Sequence, residues 1–350
     1  MSSQKMKKIL ITGVTGQDGS YLADLYLSLG YEVHGLVRRS SSFNTARIDY
    51  LLEEASKSQS RLFLHYGDMS DPQSLNNLIT QLRPYAVFNL AAQSHVRISF
   101  DLPNYTFSVN TNGVLNLLEA IRIYSPDSKF YQASTSELFG NSAAPQGVNS
   151  LFAPESPYAV SKLSAHELVR LWGEAYGIYA TSGILFNHES FRRGENFVTK
   201  KVIKNAARIR KSLDQNHKSI EKLKLGNLDA IRDWGWAPEY ALAMSRLIEI
   251  DKPRPICIGT GVSASVREFL TCTFNYFDLS VNDWVEHSDM YERPVEVSEL
   301  RADTTEMKAT LKLTPKYDWK SLNLLMCEQE EMGYENKLDW DDISNEMNKL

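Results

Sequence analysis

The sequence of 350 residues contains little cysteine: Cys257, Cys272 and Cys327 are the three, and they are widely spaced. This scarcity excludes a disulfide scaffold and a cysteine zinc site, and it is typical of a reducing compartment. Long apolar runs are also missing. The run Ile9–Ile11, which follows several lysines, is too short for the core of a signal peptide or for a membrane span. We therefore expect a soluble, cytoplasmic protein with no membrane partner.

Neither sign of charge is in large excess. The chain has 38 basic and 43 acidic residues, and the net charge is −5. Such a balance argues against a general nucleic-acid binder or a membrane-surface binder. Hydrophobic residues make up 43% of the chain, and a chain of this length buries about three quarters of its unfolded surface. A large core can therefore form without disulfides. We also predict no metal site.

Short apolar runs alternate with helical patterns in the first half of the chain, as in the βαβ units of a parallel sheet. The pattern predicts strands at 7–12, Glu32–Val37, Leu62–Tyr66, Ala86–Leu90, Phe130–Ala133 and Tyr179–Phe186. It predicts helices at 18–29, Asp71–Leu82, Val109–Tyr124 and from Ser156 to about Tyr176. Beyond residue 187 we expect loops rich in Arg, Asn and Gly, then a strand at Ile256–Ile258 and a helix at 265–277.

These elements predict an α/β fold, a Rossmann-like doubly wound parallel sheet with a smaller C-terminal substrate domain. We expect a nucleotide-binding domain at residues 1–187, with contributions from about 225–262. Residues 188–350 would then form mainly the substrate-binding domain.

A glycine-rich turn joins the first predicted strand to the first predicted helix. It reads Gly13-Val14-Thr15-Gly16-Gln17-Asp18-Gly19, a GxxGxxG spacing. Glycines at such a turn let the backbone approach a pyrophosphate, which is bound at the positive N-terminus of the helix. An ordinary strand-to-helix turn is the alternative, but the strand and the helix that the motif requires are both predicted here. The turn therefore indicates a dinucleotide site.

The end of the second predicted strand is where a carboxylate would bind the ribose 2′-hydroxyl of NAD. Here it carries Arg38-Arg39-Ser40-Ser41 instead. Two guanidinium groups beside hydroxyls suit a 2′-phosphate, so the pattern predicts NADP, with a solvated basic loop as the alternative. Asp68, just past the third strand, is placed to meet the adenine ring, unless it only starts a turn.

Tyr158 and Lys162 lie four residues apart in the first turns of the helix that Ser156 opens. Positions i and i+4 share a helix face, so the phenol and the ammonium can act on one substrate. A nearby ammonium should lower the pKa of the tyrosine, normally about 10, and make it usable as a base. Two half-exposed side chains on an amphipathic helix are the alternative, which the glycine-rich turn upstream disfavours.

Thr135 and Glu137 follow the fifth predicted strand, at the sheet edge where open α/β folds bind ligands. The threonine hydroxyl can hydrogen-bond a substrate carbonyl or alcohol. Glu137 can remove the acidic α-proton of a keto sugar and then protonate a leaving hydroxyl group. Plain dehydrogenation does not need such a carboxylate. The alternative is a loop carboxylate in water.

Eight stretches carry a resemblance to known proteins. They are TGVTGQDGSYL (12–22), VHGLVRRSSSFNTARI (33–48), YGDMSD (66–71), FNLAAQSHV (88–96), QASTSELFG (132–140), SPYAVSKL (156–163), GILFNHESFRRGENFVTKK (183–201) and LGNLDAIRDWG (225–235). Together they resemble the extended short-chain dehydrogenase/reductase superfamily and, within it, the GDP-mannose 4,6-dehydratase family. The resemblance covers nearly all of residues 7–240 and then thins to SVREF (265–269) and RPVEV (293–297).

This resemblance implies roles for individual residues. The catalytic residues would be Thr135, Glu137, Tyr158 and Lys162. The cofactor would contact Gly13, Val14, Thr15, Gly16, Gln17, Asp18, Arg38, Arg39, Ser40, Ser41, Asp68, Met69, Leu90, Ala91, Ala92, Gln93, Ser94, Tyr105, Lys162, His188 and Arg193. The nucleotide sugar would contact Ser94, Thr135, Glu137, Asn187, Lys201, Arg232, Arg293 and Glu296.

The resemblance also implies a reaction. GDP-mannose would lose water to give GDP-4-dehydro-6-deoxy-D-mannose, with NADP reduced and reoxidised within one turnover. A GDP-manno-heptose 4,6-dehydratase would use the same machinery, and other nucleotide-sugar epimerases or dehydratases share the glycines, Tyr158 and Lys162. Glu137 disfavours an epimerase or a reductase, since neither needs a base at C5. The four intact catalytic positions disfavour an inactive NADP sensor.

Three features depart from the family's pattern: Phe191 replaces a usual proline, Trp236 replaces a usual histidine, and the charged segment 211–222 is longer. Assembly is predicted from the stretch Arg38–Ile48, which is too polar for a core and too long for a tight turn. Similar enzymes use it to reach a neighbouring subunit, while helices at about 105–124 and 157–175 pair subunits into a dimer. We predict a homotetramer of two dimers, with a homodimer as the alternative.

Overall fold

The computed structural model describes residues 6–41, 44–57, 61–217, 219–334 and 338–348. Its strands are β1 (Lys8–Thr12), β2 (Glu32–Val37), β3 (Leu62–Tyr66), β4 (Ala86–Asn89), β5 (Lys129–Thr135), β6 (Ala180–Leu185), β7 (Asn187–Glu189), β8 (Leu223–Leu225), β9 (Ile231–Trp236), β10 (Ile256–Ile258), β11 (Ser263–Ser265), β12 (Val285–His287) and β13 (Glu299–Leu300). Its helices are α1 (Gln17–Ser28), α2 (Asp49–Lys57), α3 (Pro72–Leu82), α4 (Val96–Asp101), α5 (Pro103–Phe107), α6 (Gly113–Tyr124), α7 (Pro157–Tyr176), α8 (Val198–Asp214), α9 (Ala237–Leu247), α10 (Val266–Tyr276), α11 (Val281–Trp284), α12 (Thr305–Leu311), α13 (Trp319–Met332) and α14 (Trp340–Met347).

Seven strands form one sheet in the order β10-β6-β5-β4-β1-β2-β3. Every neighbouring pair is parallel. Helices cover both faces of the sheet, as parallel sheets require, and separate apolar clusters fill the two sides. The edge strand β3 is the exception, since its Phe63 and Tyr66 are exposed. The order reverses between β1 and β4, and such a switch point is where this architecture binds its ligand. The predicted Rossmann-like doubly wound sheet is confirmed.

A second sheet is built around β9, which pairs in parallel with β7 and β13 and antiparallel with β11. Helices α8, α10 and α13 pack together beside it around a separate core. The last helices return to the larger unit, because Met307 of α12 and Trp340 of α14 are buried in the first core. The division at residue 187 stays a prediction.

Local signals explain most of the predicted boundaries. Ser156 caps α7 by accepting a hydrogen bond from the Ala159 backbone N–H, and Pro157 occupies the first helical position. Asp71 caps α3 in the same way and lies just outside the helix, not inside it as predicted. In α1 the helix begins one residue earlier than predicted and ends at Ser28.

Two predictions were wrong. The region after residue 187 is not mainly loop, because α8 runs for 17 residues with Val202, Ile203, Ala206 and Ile209 buried on one face. The predicted helix Val109–Tyr124 is not regular, since Ser108–Asn112 form a π-helical turn before α6. Such turns are often found at functional sites. In the part of the chain that the structure describes, no helix is both long and apolar enough to cross a membrane.

Candidate active site

A cleft of about 320 Å³ opens beyond the C-terminal ends of β4, β5 and β6. All four predicted catalytic residues line it. Every residue predicted to contact the nucleotide sugar lines it as well. The structure therefore brings together side chains that are up to 202 positions apart in the chain, from Ser94 to Glu296.

The glycine-rich turn leaves no room for side chains. Gly13 has a φ of +69°, and a Cβ there would lie 2.9 Å from the Ala91 nitrogen. A Cβ at Gly19 would lie 2.3 Å from the Gly13 carbonyl oxygen, so α1 can start this close to β1 only with glycine. The turn forms a cradle of bare backbone at the N-terminus of α1. This geometry fits a dinucleotide pyrophosphate.

His188 and Asp18 connect this turn to the other side of the cleft. His188 Nε2 lies 2.9 Å from Asp18 Oδ2, and Nδ1 lies 2.7 Å from the Phe186 carbonyl oxygen. Burial disfavours the imidazolium ion, but the Asp18 carboxylate outweighs it and the pKa of His188 is raised. Burial likewise opposes ionisation of Asp18, yet His188 lowers the pKa of that carboxyl group. Both ring nitrogens face acceptors, an arrangement that favours the protonated imidazole.

Gln17 and Arg192 add further connections between the turn and the segment after β7. The Gln17 amide donates to the His188 carbonyl oxygen at 3.1 Å and accepts from the Ser190 hydroxyl at 2.8 Å. Arg192 donates to the Ser20 hydroxyl oxygen at 3.1 Å. The two segments predicted to contact the cofactor are thus held against each other.

The residues predicted at the adenosine end lie outside the cleft. Arg38 and Arg39 are exposed, and Arg38 donates to the Tyr105 hydroxyl oxygen at 2.7 Å. Asp68 accepts from the backbone N–H and the hydroxyl of Ser70, as a turn-starting aspartate does. Of the others predicted to contact cofactor, Val14 and Met69 bury their side chains in the core, so only their backbone can reach a ligand.

Thr135 and Glu137 are placed by the end of β5 and the single 3₁₀ turn Ser136–Phe139. The Thr135 hydroxyl oxygen accepts from the Glu137 backbone N–H at 3.3 Å, which caps that turn. The Glu137 side chain is buried, and its Oε1 lies 3.4 Å from NH1 of Arg293. A buried carboxylate beside a hydroxyl, facing a cleft, can act in proton transfer.

Tyr158 and Lys162 are both buried in the first turns of α7. Burial raises the pKa of Tyr158 to about 12, although a hydrogen bond with Thr135 acts in the opposite direction. Burial lowers the pKa of Lys162 to about 8. Lys162 Nζ donates to the Ala133 carbonyl oxygen at 2.9 Å. The expected lowering of the tyrosine pKa is not seen in the protein alone, where burial has the largest effect on it.

Charged side chains form one wall of the cleft. Arg232 is almost fully buried and donates to Glu296 Oε1 at 3.0 Å and to the Val297 carbonyl oxygen at 2.9 Å. NH1 of Arg293 lies 3.5 Å from Glu296 Oε1. Lys201 Nζ lies 3.4 Å from the centre of the Tyr291 ring and donates to the Lys224 carbonyl oxygen. Three cations on one wall suit an anionic ligand such as a diphosphate.

Five residues that line the cleft were not among the predicted contacts: His95, Arg97, Asn196, Phe197 and Tyr291. Three of them, His95, Asn196 and Phe197, lie in stretches that resemble the family. His95 packs on the Phe197 ring at 5.9 Å, and burial together with Arg293 lowers its pKa. Its one signal in the sequence was its place directly after Ser94 in a stretch that resembles the family.

The departures from the family's pattern lie outside the cleft lining. Phe191 stacks on Tyr334 at 4.7 Å, and Trp236 packs on Tyr317 at 4.9 Å. In the segment 211–222, Lys218 lies outside the described residues. Ser42 and Phe43 of the predicted assembly loop also lie outside them.

Comparison with known proteins gives a consistent result. The profile of a family described as GDP-mannose 4,6 dehydratase matches residues 10–326. GDP-mannose 4,6 dehydratase 1 of Arabidopsis thaliana is 45% identical over 332 residues, which cover 93% of this chain and 90% of the relative. GDP-mannose 4,6-dehydratase of Vibrio cholerae is 44% identical over 340 residues, covering 89% and 90%.

A solved structure shares the fold. The crystal structure of dTDP-glucose 4,6-dehydratase from Bacillus anthracis in complex with NAD superposes with a TM-score of 0.79 at 19% identity. The match covers 93% of this chain and 97% of that one.

Proposed function

The chain belongs to the GDP-mannose 4,6-dehydratase family, and we propose that it converts GDP-α-D-mannose to GDP-4-dehydro-6-deoxy-α-D-mannose and water. It would thus be a hydro-lyase. The observation that supports this most is Glu137, a buried carboxylate that lines the same cleft as Thr135, Tyr158 and Lys162. An epimerase that acts at C4, or a reductase, has no use for that base, because neither reaction removes a proton from C5.

We propose NADP as the cofactor. The bare backbone at Gly13 and Gly19 fits a pyrophosphate, and the solved relative in fold, dTDP-glucose 4,6-dehydratase, is a complex with NAD. The exposed guanidinium groups of Arg38 and Arg39 support the phosphorylated form. When bound, NADP supplies the acceptor for the hydride of sugar C4 and returns that hydride to C6.

The first half of the reaction needs a proton acceptor at the C4 hydroxyl group. Tyr158 takes that proton and Thr135 donates a hydrogen bond to the C4 oxygen. A phenol with a pKa of about 12 is a poor base at neutral pH. We propose that Lys162 turns from the Ala133 carbonyl to the cofactor ribose, where its ammonium favours the phenolate.

The second half needs an acid–base group near C5 and C6. The 4-keto group acidifies the C5 proton, and Glu137 removes it. The same carboxyl group then protonates the C6 hydroxyl, which leaves as water. When the hydride returns to C6, C5 takes up a proton, and the proton that Tyr158 removed from the C4 hydroxyl group balances this uptake. One carboxyl group at the strand end can carry out these transfers because it lies within the cleft and is shielded from bulk water.

The diphosphate of the substrate carries the negative charge that suits the cations lining the cleft. Lys201, Arg232 and Arg293 line the same cleft as the catalytic residues, and NH1 of Arg293 lies 3.4 Å from Glu137 Oε1. An intermediate that must not escape requires a substrate bound by a remote group. We propose that these cations hold the diphosphate throughout the turnover.

We also propose a homotetramer built from two dimers. Exposed apolar side chains on neighbouring helices support the dimer, namely Ile98, Leu102, Tyr105, Leu171 and Tyr176. The contact of Arg38 with Tyr105 places the basic loop beside this surface. A cytoplasmic location stays a prediction.

Purified protein incubated with GDP-mannose tests the proposal, with the product followed by mass spectrometry. We expect the loss of one water and no consumption of added NADPH or NADP. A parallel incubation with GDP-manno-heptose measures the rival activity. Faster turnover of the heptose, or an unchanged mass with GDP-mannose, would overturn the proposal.

A further inference from the structure

A continuous chain of buried polar side chains connects the glycine-rich end of β1 to Lys162. The Thr12 hydroxyl donates to Asn89 Oδ1 at 2.6 Å, and Asn89 Nδ2 donates to Gln132 Oε1 at 2.7 Å. Gln132 Nε2 then donates to the Ala133 carbonyl oxygen at 2.9 Å. That carbonyl oxygen is the one to which Lys162 donates, also at 2.9 Å.

The direction of this chain is set at its start. The Thr12 hydroxyl oxygen accepts from the backbone N–H groups of Leu90 and Ala91, each at 3.1 Å. It must therefore donate its own hydrogen to Asn89 Oδ1, which fixes the orientation of the Asn89 amide and then that of Gln132. The chain is polarised from one end to the other, and each bond strengthens the next.

These three side chains form one rung of the sheet. Thr12 is the register partner of Asn89, and Asn89 is the register partner of Gln132. All three are at most 1% exposed, so water cannot replace a missing partner. Apolar residues would fill such a rung without any need for matched partners. This buried row of polar side chains ends at the Ala133 carbonyl oxygen, to which Lys162 donates. The three side chains are therefore in a position to influence where the lysine side chain lies.

We propose that Gln132 is a positioning residue for Lys162. Gln132 shares the Ala133 carbonyl oxygen with the ammonium group, and it remains as donor when Lys162 turns to the cofactor. This inference rests on the proposed function, in which Lys162 makes that move. Without Gln132, the move would leave a buried carbonyl oxygen without a donor, which is costly. Gln132 thus makes the release of Lys162 easier and NADPH binding tighter.

Gln132→Glu tests this by making the donor depend on pH. The new carboxyl group still accepts from Asn89. It donates to Ala133 only while protonated, and as a carboxylate it attracts the Lys162 ammonium. We expect the ratio of the NADPH dissociation constants, variant over wild type, to rise from near 1 at pH 5.5 to about 5- to 100-fold at pH 8. A fluorescence titration without sugar nucleotide measures it.

The same titration in a Lys162→Met background shows whether the effect passes through the lysine. In this background the ratio of the NADPH dissociation constants, with and without Gln132→Glu, should not change with pH. The reason is that no ammonium group has to leave the Ala133 carbonyl oxygen. The matched control is Tyr131→Phe, which removes a neighbouring fully buried hydroxyl on β5 that has no partner among the described residues. Its ratio should be near 1 at every pH.

A pH-independent ratio for Gln132→Glu, or the same rise with Lys162 replaced, would overturn the proposal. If Gln132→Glu does not fold, Gln132→Met replaces it, because this variant lacks the donor at every pH. Gln132→Met must bind NADPH more weakly than the wild type does. In the Lys162→Met background the same substitution must leave the NADPH affinity unchanged. These titrations use no GDP-mannose, so failure of the proposed activity would be visible separately in the product assay.

Discussion

Arg293 lies against Glu137 in the protein alone, with 3.4 Å between its NH1 and Oε1 of the carboxylate. The same NH1 lies 3.5 Å from Glu296, which in turn pairs with Arg232. Charges of opposite sign therefore alternate from the proposed C5 base to the proposed diphosphate site. A bound diphosphate would compete with Glu137 for Arg293, so the base and the remote end of the substrate are linked through one guanidinium group.

Replacing Glu137 tests the role of this carboxylate. Glu137→Gln keeps the shape of the side chain but cannot remove the C5 proton, so dehydration of GDP-mannose should fall by about 10²- to 10⁴-fold. NADPH affinity, measured by titration, should not change. Glu167→Gln is the matched control, since Glu167 is a partly exposed carboxylate outside the cleft that pairs with Arg170 on α7. Dehydration at the wild-type rate in Glu137→Gln would show that another group is the base.

Cofactor selectivity should depend on Arg38 and Arg39. Each charge-assisted hydrogen bond to the 2′-phosphate contributes roughly 1.5–3 kcal/mol, so NADP should bind far more tightly than NAD. Calorimetric titration of both cofactors measures this preference. Replacement of both arginines by alanine should remove most of it, whereas Arg170→Ala on α7 should preserve it. Equal affinity of the wild type for the two cofactors would contradict this assignment.

The histidine pair His34 and His65 should make the fold sensitive to acid. His34 Nδ1 lies 2.8 Å from His65 Nε2, and burial lowers the pKa of both rings. An unfolded histidine has a pKa of about 6.5. Below that value the unfolded chain binds more protons than the folded one, so the free energy of unfolding should decrease as the pH falls. His188 acts in the opposite direction, because its pKa is raised.

Urea unfolding at pH 7.5 and pH 5.5 measures this dependence. His65→Gln should lose less stability than the wild type between the two pH values. His217→Gln replaces an exposed histidine on the surface and should behave as the wild type does. If His65→Gln keeps the full pH dependence, the pair does not contribute to acid sensitivity.

The patterns in the sequence were enough to predict the large sheet but not the small one. Strands such as Leu62–Tyr66 are short, mostly apolar runs that stop at turn residues, and the structure gives this one the same bounds. Strand β13 has two residues and β7 has three, too short to show a period. Helix α8 was not predicted because its many Arg and Lys residues obscured the periodic spacing of its apolar residues in the sequence. Helix propensity read from the local sequence is a weak guide when packing against residues distant in the chain determines whether a helix forms.

The candidate site divides in the same way. Tyr158 and Lys162 are four residues apart, so helical geometry alone places them together. Glu137 and Arg293 are separated by 156 positions, and no local pattern connects them. The resemblance to a family indicated both residues. Only the structure shows that they form an ion pair, and that Lys162 is bonded to the Ala133 carbonyl oxygen.

The basic loop should contribute to assembly as well as to cofactor binding. We expect light scattering to give the mass of a tetramer, and Arg39→Glu to loosen both the assembly and NADP binding, because the new carboxylate repels the 2′-phosphate. Arg170→Glu on α7 serves as a charge-matched control for the cofactor effect. A wild type that stays dimeric at high concentration with NADP bound would contradict the tetramer.

The path of the hydride distinguishes the proposed internal shuttle from a mechanism with net hydride transfer. GDP-mannose that carries deuterium at C4 is converted in ordinary water, and the product is analysed by mass spectrometry and NMR. An internal shuttle predicts that the deuterium is retained and lies at C6, while C5 carries a proton from the solvent. Deuterium lost to the solvent, or found in a free pool of reduced cofactor, would contradict the internal hydride shuttle.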